Sequence, residues 1–156
     1  MTEVSAISRR TRTFFAVPDG PFAGTVVPVE GDDNWQIIMA LASGVLATLQ
    51  VAFCVTQTES CTIDIAGETG SILVQLLDPS APITVLSPKG QRREPVPHDR
   101  SDGPDHILGV QDFLLAIRDG RAPVINVDHA LHVLAIREAA MTSSVTGRRI
   151  DVVVNQ

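Results

Sequence analysis

The chain has 156 residues, of which 44% are hydrophobic and 19% charged, with a formal net charge of −6. This length and apolar content exclude wholesale disorder and suffice for one domain with a hydrophobic core. The acidic balance excludes a generally basic nucleic-acid binder. Aromatic residues are five Phe, one Trp and no Tyr, so the core must be Val, Leu, Ile and Ala.

Val4 to Phe15 alternates small, apolar and basic residues and reads as one extended strand. Its cluster Arg9-Arg10-Thr11-Arg12 reads first as a solvated strand end, with contact to an anion or acidic substrate as the alternative. Pro18-Asp19-Gly20-Pro21 is turn chemistry. Asp32 and Asp33 precede the next run and read as loop solubilisers. Two apolar runs come next, Trp35–Ala42 and Val45–Phe53, around Ser43-Gly44, which suits a two-residue hairpin turn. Such a turn puts Trp35, Ile37, Met39 and Leu41 on one face with Leu46, Thr48, Gln50 and Ala52. The opposite face carries Ile38, Ala40, Ala42, Val45, Ala47, Leu49, Val51 and Phe53. Neither face is charged, so this sheet is expected to be covered on both sides. Ser43, Gly44, Thr48 and Gln50 interrupt the apolar stretch Ile37–Val55, which therefore reads as this hairpin and not as a membrane helix. The N-terminus has no apolar signal-peptide core, and a cytoplasmic protein is expected.

Cys61–Ala66 and Ser71–Leu77 form a second hairpin around Gly67-Glu68-Thr69-Gly70, and Ile83–Leu86 is a short strand. Ser87 to Gly103 reads as a solvated connector, with a short strand near Glu94–Val96. The period then changes from 2 to 3.6. Asp102 and Pro104 suit the start of a helix whose stripe is Ile107, Val110, Phe113, Leu114 and Ile117, ended by Gly120. Asn126 caps a second helix, with Asp128 in its first turn, apolar positions at Ala130, Leu131, Leu134, Met141 and Val145, and Gly147 at its end. Arg149–Val154 is a final strand. Strands succeeded by helices indicate one α+β domain over residues 1–156, a mostly antiparallel sheet with two C-terminal helices on one face. The other face is left for a second copy of the chain.

Chemical motifs are sparse. Gly67 and Gly70 join two strands, so they do not form the phosphate-binding glycine turn before a helix. Cys54 and Cys61 lack a second pair and read as two buried thiols. His129 and His132, three apart on a helix, are too few for a zinc site and read as solvent-facing. Asp102/His106 and Asp128/His132 share the spacing of a carboxylate-oriented imidazole, but Asp102 and Asp128 already have capping roles. His98 lies in the polar connector and points to no chemistry. No nucleophile elbow and no Walker lysine occur. No catalytic or metal-ligating residue is expected.

Three stretches together resemble the C-terminal domain of the glucose–fructose oxidoreductase/inositol dehydrogenase (Gfo/Idh/MocA) family. The first is Asp32-Asp33-Asn34-Trp35 through Ala42-Ser43-Gly44-Val45-Leu46-Ala47-Thr48-Leu49. The second is Ile63-Asp64-Ile65-Ala66-Gly67-Glu68-Thr69-Gly70-Ser71-Ile72. The third runs from Val110-Gln111-Asp112-Phe113 through Asp119-Gly120-Arg121-Ala122-Pro123 and Ile136-Arg137-Glu138-Ala139 to Ser143-Ser144-Val145-Thr146-Gly147-Arg148. The likeness covers Val4 to Val153. Family members usually begin with a Rossmann domain binding NAD or NADP, with a Glu-Lys-Pro lysine and an Asp-x-x-x-His histidine. None of this carries over: Lys89 sits in Ser-Pro-Lys-Gly, and Asp128 and His132 fall on the closing helix.

The resemblance implies a substrate-binding and oligomerisation domain of an NAD(P)-dependent sugar or polyol oxidoreductase, not redox-competent by itself. No cofactor is expected in this chain; NAD or NADP is expected only for a full-length relative. Arg12 and His106 are the candidates to face substrate, and Thr48 and Gln50 those on the oligomer face. Expected partners are further copies of the chain and a Rossmann domain or partner subunit, with no nucleic acid and no membrane. The alternative is a stand-alone, non-enzymatic module binding a ligand or partner.

Overall fold

The computed structural model describes residues 2–53, 61–76, 81–94 and 106–153. They fall into two units, 1–56 with 108–156, and 57–107.

The first unit is built on an antiparallel sheet of four strands. These are β1 (Thr2–Arg9), β4 (Asn34–Ala40), β5 (Leu46–Ala52) and β10 (Ile150–Val152), in the order β10-β1-β4-β5. A separate hairpin pairs β2 (Phe14–Ala16) with β3 (Val26–Pro28). Helix α1 spans His106–Asp119 and α2 spans Val127–Thr146. The second unit is an antiparallel sheet of β6 (Thr62–Gly67), β7 (Gly70–Gln75), β8 (Ile83–Ser87) and β9 (Gly90–Glu94), in that order.

Helix α2 lies on β1 and β10. The core there is small: Val4, Ala6, Ala139 and Ala140, flanked by Ile37, Met39, Ile136, Ile150 and Val152. Alternation along the strands aims these positions at the helix. The helix ends obey local rules. Asn126 Oδ1 accepts the His129 amide at 2.9 Å. Gly147 adopts the left-handed conformation and its N–H reaches the Ser143 carbonyl at 2.8 Å. Gly120, also left-handed, closes α1. Asp112 ties α1 to the segment between the two helices, accepting from the Arg121 guanidinium at 2.6 Å and the Val124 amide at 2.7 Å.

Several expectations need correction. The 43–44 turn does not have two residues. Leu41 N–H bonds the Val45 carbonyl at 2.9 Å, so the loop is Ala42-Ser43-Gly44, with Gly44 at φ 87°. This is a three-residue hairpin with a left-handed third residue. The register therefore shifts by one, and Ile37 faces Leu49 and Ile38 faces Thr48. A shift of one moves every β5 side chain to the other face. Trp35, Ile37 and Met39 share a face with Ala47, Leu49 and Val51; Thr48 and Gln50 share theirs with Gln36 and Ile38.

The N-terminal strand is not continuous to Phe15 but breaks after Arg9, where Asp33 draws the backbone aside. The connector after Ser87 contains β9, paired to β8 from Ser87↔Gly90 to Ile83↔Glu94. The α2 positions Ala130, Leu131, Leu134, Met141 and Val145 are exposed, and the packed face is Ile136, Ala139, Ala140 and Ser143. The α1 stripe from Ile107 to Ile117 is also exposed. Cys54, His98, Asp102 and Pro104 lie outside the described residues. Cys61 is a free, half-buried thiol. No helix among the described residues is long and apolar enough to cross a membrane.

Candidate functional site

Two features of the first unit carry chemistry or contact. The first is the sheet face turned away from α2. Strand pairing arranges it in rows: Glu3–Ala40–Leu46, Ser5–Ile38–Thr48, Ile7–Gln36–Gln50 and Arg9–Asn34–Ala52, with Asp151 beside Glu3. Ile7, Ile38 and Leu46 are 63%, 55% and 74% exposed. Thr48 and Gln50 are exposed among them. Aliphatic side chains alternate with uncharged polar ones in the interior rows, and charge is confined to the two ends. The face is thus mixed, with large aliphatic side chains open to solvent between uncharged polar ones. The sequence placed Leu46 beside Thr48 and Gln50 but missed Ile7 and Ile38 as their neighbours. The signal was the β4–β5 register, which a three-residue loop would have given.

The second feature is a carboxylate clamp. Asp33 is buried, against its reading as a loop solubiliser, and its backbone extends the sheet by one row. Its N–H bonds the Arg9 carbonyl at 3.1 Å and its carbonyl takes the Phe53 amide at 2.8 Å. Its carboxylate accepts from the Thr11 amide at 2.7 Å, the Thr11 hydroxyl at 2.9 Å and the Arg12 amide at 3.0 Å. Three donors folded onto one side chain turn the backbone away from the β1 direction, which is why β1 stops at Arg9. The Thr11 amide above all holds the Asp33 carboxyl below its usual range, with the Thr11 hydroxyl and the Arg12 amide adding to it against the opposing effect of burial.

Beside the clamp, the Ser8 hydroxyl donates to Asp32 and lies 2.5 Å from the Ser144 hydroxyl. Trp35 Nε1 donates to the Asp32 carbonyl at 3.1 Å. Half-buried Arg12 is thus held at the root of the β2–β3 hairpin.

The structure brings Thr48 and Gln50 onto one face and sets Arg12 beyond the Arg9 end of the sheet. His106 opens α1, and its side chain lies outside the described residues. His129 and His132 are exposed on α2. Among the described residues, no group of three or more His, Cys, Asp or Glu is placed to hold a metal ion.

A dinucleotide does not fit the glycine pair. Gly67 and Gly70 close the β6–β7 hairpin, and a Cβ on Gly70 would lie 2.1 Å from the Leu86 carbonyl oxygen. Gly70 is there to let β8 approach, with no helix N-terminus to receive a phosphate.

Comparison with solved structures matches this fold at low identity. An Agrobacterium radiobacter oxidoreductase, in complex with NAD+, L-tartaric acid and magnesium, is 20% identical with a TM-score of 0.68, over 97% of this chain and 43% of its own. Levoglucosan dehydrogenase, in complex with NADH and L-sorbose, is 18% identical with a TM-score of 0.80, over 98% and 46%. An NAD-binding oxidoreductase from Klebsiella pneumoniae is 17% identical with a TM-score of 0.74, over 99% and 46%. The chain thus spans less than half the length of these structures. Comparison with curated protein sequences gives no match. The sequence profile of the oxidoreductase family C-terminal alpha/beta domain matches residues 2–152, and the chain belongs to this family, the C-terminal domain of the Gfo/Idh/MocA oxidoreductases.

Proposed function

We propose that this chain is the substrate-binding and assembly-forming half of an NAD(P)-dependent oxidoreductase acting on sugars or polyols. In this reading hydride transfer needs a dinucleotide-binding domain or subunit alongside it. The observation that carries the reading is the family match over nearly the whole chain, set against solved structures of more than twice its length, among them complexes with NAD+ or NADH. Arg12, held by Asp33, and His106 are the groups offered to substrate. The exposed face with Ile38, Leu46, Thr48 and Gln50 is offered to a second copy.

The face is roughly 20 Å by 20 Å by strand spacing and rise. A plane of this size is small beside a standard interface, in which each partner buries ~800 Å² of accessible surface.

Two measurements test the reading. Titration of NADH and NADPH into the isolated chain is expected to show no saturable binding; micromolar affinity would overturn the division of labour. Light scattering from ~1 to 500 µM is expected to show a dimer that Leu46→Arg weakens. A monomer throughout would overturn the assembly role.

A further inference from the structure

The end of β1 gathers three arginines, Arg9, Arg10 and Arg12, in a chain whose net charge is −6. The two carboxylates that follow in the fold are engaged elsewhere. Asp33 takes the Thr11 amide and hydroxyl and the Arg12 amide, and Asp32 accepts from Ser8. Arg9 and Arg10 bond main-chain carbonyls instead, that of Ser8 at 2.8 Å and that of Val29 at 3.3 Å. Neither has an ion-pair partner among the described residues, with Glu30 next to Val29 included. The Val29 N–H in turn bonds the Thr13 carbonyl at 2.9 Å, and Pro28 lies opposite Phe14. The Arg10 head is therefore at the root of the β2–β3 hairpin, where Arg12 and Phe14 also stand. Phe14 is 63% exposed. Two guanidinium groups and an open aromatic ring thus stand together on a main chain that Asp33 holds in place.

We propose that the substrate bound by this chain is an acidic sugar or polyol, its carboxylate held by Arg10 and Arg12 and its carbon chain lying against Phe14. The proposal rests on the sugar or polyol reading above and adds the acid group. A guanidinium is a planar fork that matches both oxygens of a carboxylate and stays charged at every working pH. Bonds between charged partners are the strong ones, so the acid group supplies most of the binding and fixes which end of the substrate enters. An aromatic ring next to such polar groups is the usual make-up of a small-molecule site, apolar lining with a few placed donors. The Asp33 clamp fixes the amides of Thr11 and Arg12 before any ligand arrives, so the main chain between the two arginines has little left to order on binding.

Three probes separate the acid from the carbon chain: gluconate has both, sorbitol only the polyol and acetate only the carboxylate. Titrated at constant ionic strength into the isotope-labelled full chain, gluconate is expected to shift the amide signals of Arg10, Thr11, Arg12 and Phe14, with saturation in the millimolar range. Sorbitol and acetate are each expected to bind at least about tenfold more weakly. Arg10→Gln and Arg12→Gln should each weaken gluconate roughly tenfold. Arg12→Lys, which keeps the charge and loses the fork, should weaken it less. Arg137→Gln, on the exposed side of α2, should change nothing. Sorbitol as tight as gluconate would overturn the acid group and leave the sugar or polyol reading intact. Acetate as tight as gluconate would overturn recognition of the carbon chain. No saturable shift below ~50 mM gluconate, or shifts that Arg10→Gln leaves unchanged, would overturn the site, whereas the division of labour stands or falls separately on the NADH titration. If Arg12→Gln fails to melt cooperatively, Arg10→Gln carries the comparison.

Discussion

The Ser143 hydroxyl accepts the Ala6 amide at 2.9 Å across a separation of 137 positions. It also donates to the Arg148 carbonyl at 2.6 Å. The β1–β10 register runs Thr2↔Val152, Glu3↔Asp151, Val4↔Ile150, so its continuation would pair Ala6 with Arg148. One hydroxyl is thus inserted where the next rung would have been. It splices the end of α2 into the sheet while the backbone turns at Gly147. Ser143 is 1% exposed and Ala6 is buried, so the Ala6 amide has no alternative partner in water. Ser143→Ala leaves this amide unsatisfied, at about 1–3 kcal/mol, and also removes the bond to the Arg148 carbonyl. The expected result is a loss of about 2 kcal/mol or more in urea unfolding. Ser144→Ala, at a half-buried position, is expected to cost less; equal losses would contradict the splice.

The Asp33 clamp makes stability depend on pH. Its carboxyl lies below the ordinary value of 3.8 in the folded chain, so the folded state binds its proton less readily than the unfolded state. The resulting stabilisation is complete above that value and is lost as the pH falls through the lowered one. Asp112 acts in the same direction, its carboxyl lowered first by the Val124 amide and then by Arg121. Asp33→Asn is expected to destabilise the chain at neutral pH and to flatten the acid limb of a melting-temperature profile. An unchanged acid limb would remove the clamp from the account.

Gly70 is expected to tolerate no side chain. A Cβ there would stand 2.1 Å from the Leu86 oxygen, which is backbone and cannot swing aside. Gly70→Ala should cost at least about 2 kcal/mol, in the range of strain at a constrained backbone site. Amide exchange should rise first at β7 and β8. Gly31, where a Cβ meets nothing within 4 Å, is the matching control.

The packing of α2 gives another expectation. Ala140 is 2% exposed and lies in the cluster with Val4 and Ala6. Ala140→Leu forces extra methyl groups into this seam and should cost about 1–3 kcal/mol, measured by thermal melting. Leu131→Ala, on the exposed side of the same helix, should be nearly neutral.

Local chemistry was legible in the sequence and distant contacts were not. Asn126 and Gly147 announce the ends of α2 because capping needs only neighbouring residues. Gly67 and Gly70 bound their hairpin for the same reason. The Ser43-Gly44 turn misled because glycine serves both the two-residue and the three-residue loop, and a single residue decides which face Thr48 and Gln50 occupy. Strand β9 was hidden because Gln91 and Arg92 look like loop. The packed side of α2 was misjudged because large apolar residues mark its open side, while alanines and a serine make the contact. Asp33 could not be recognised as a clamp, since its partners Thr11 and Arg12 lie more than twenty positions away.

The alanine seam has a consequence for recognition. Alanine has no rotamers to lose, so ordering Ala6, Ala139 and Ala140 carries no side-chain entropy cost. At the centre of the seam, where α2 meets β1, there is thus little flexible side chain to compress or rearrange. The layer behind Ser5 and Ile7 is therefore a stiff backing plate, and whatever docks on that strand meets a surface already in shape.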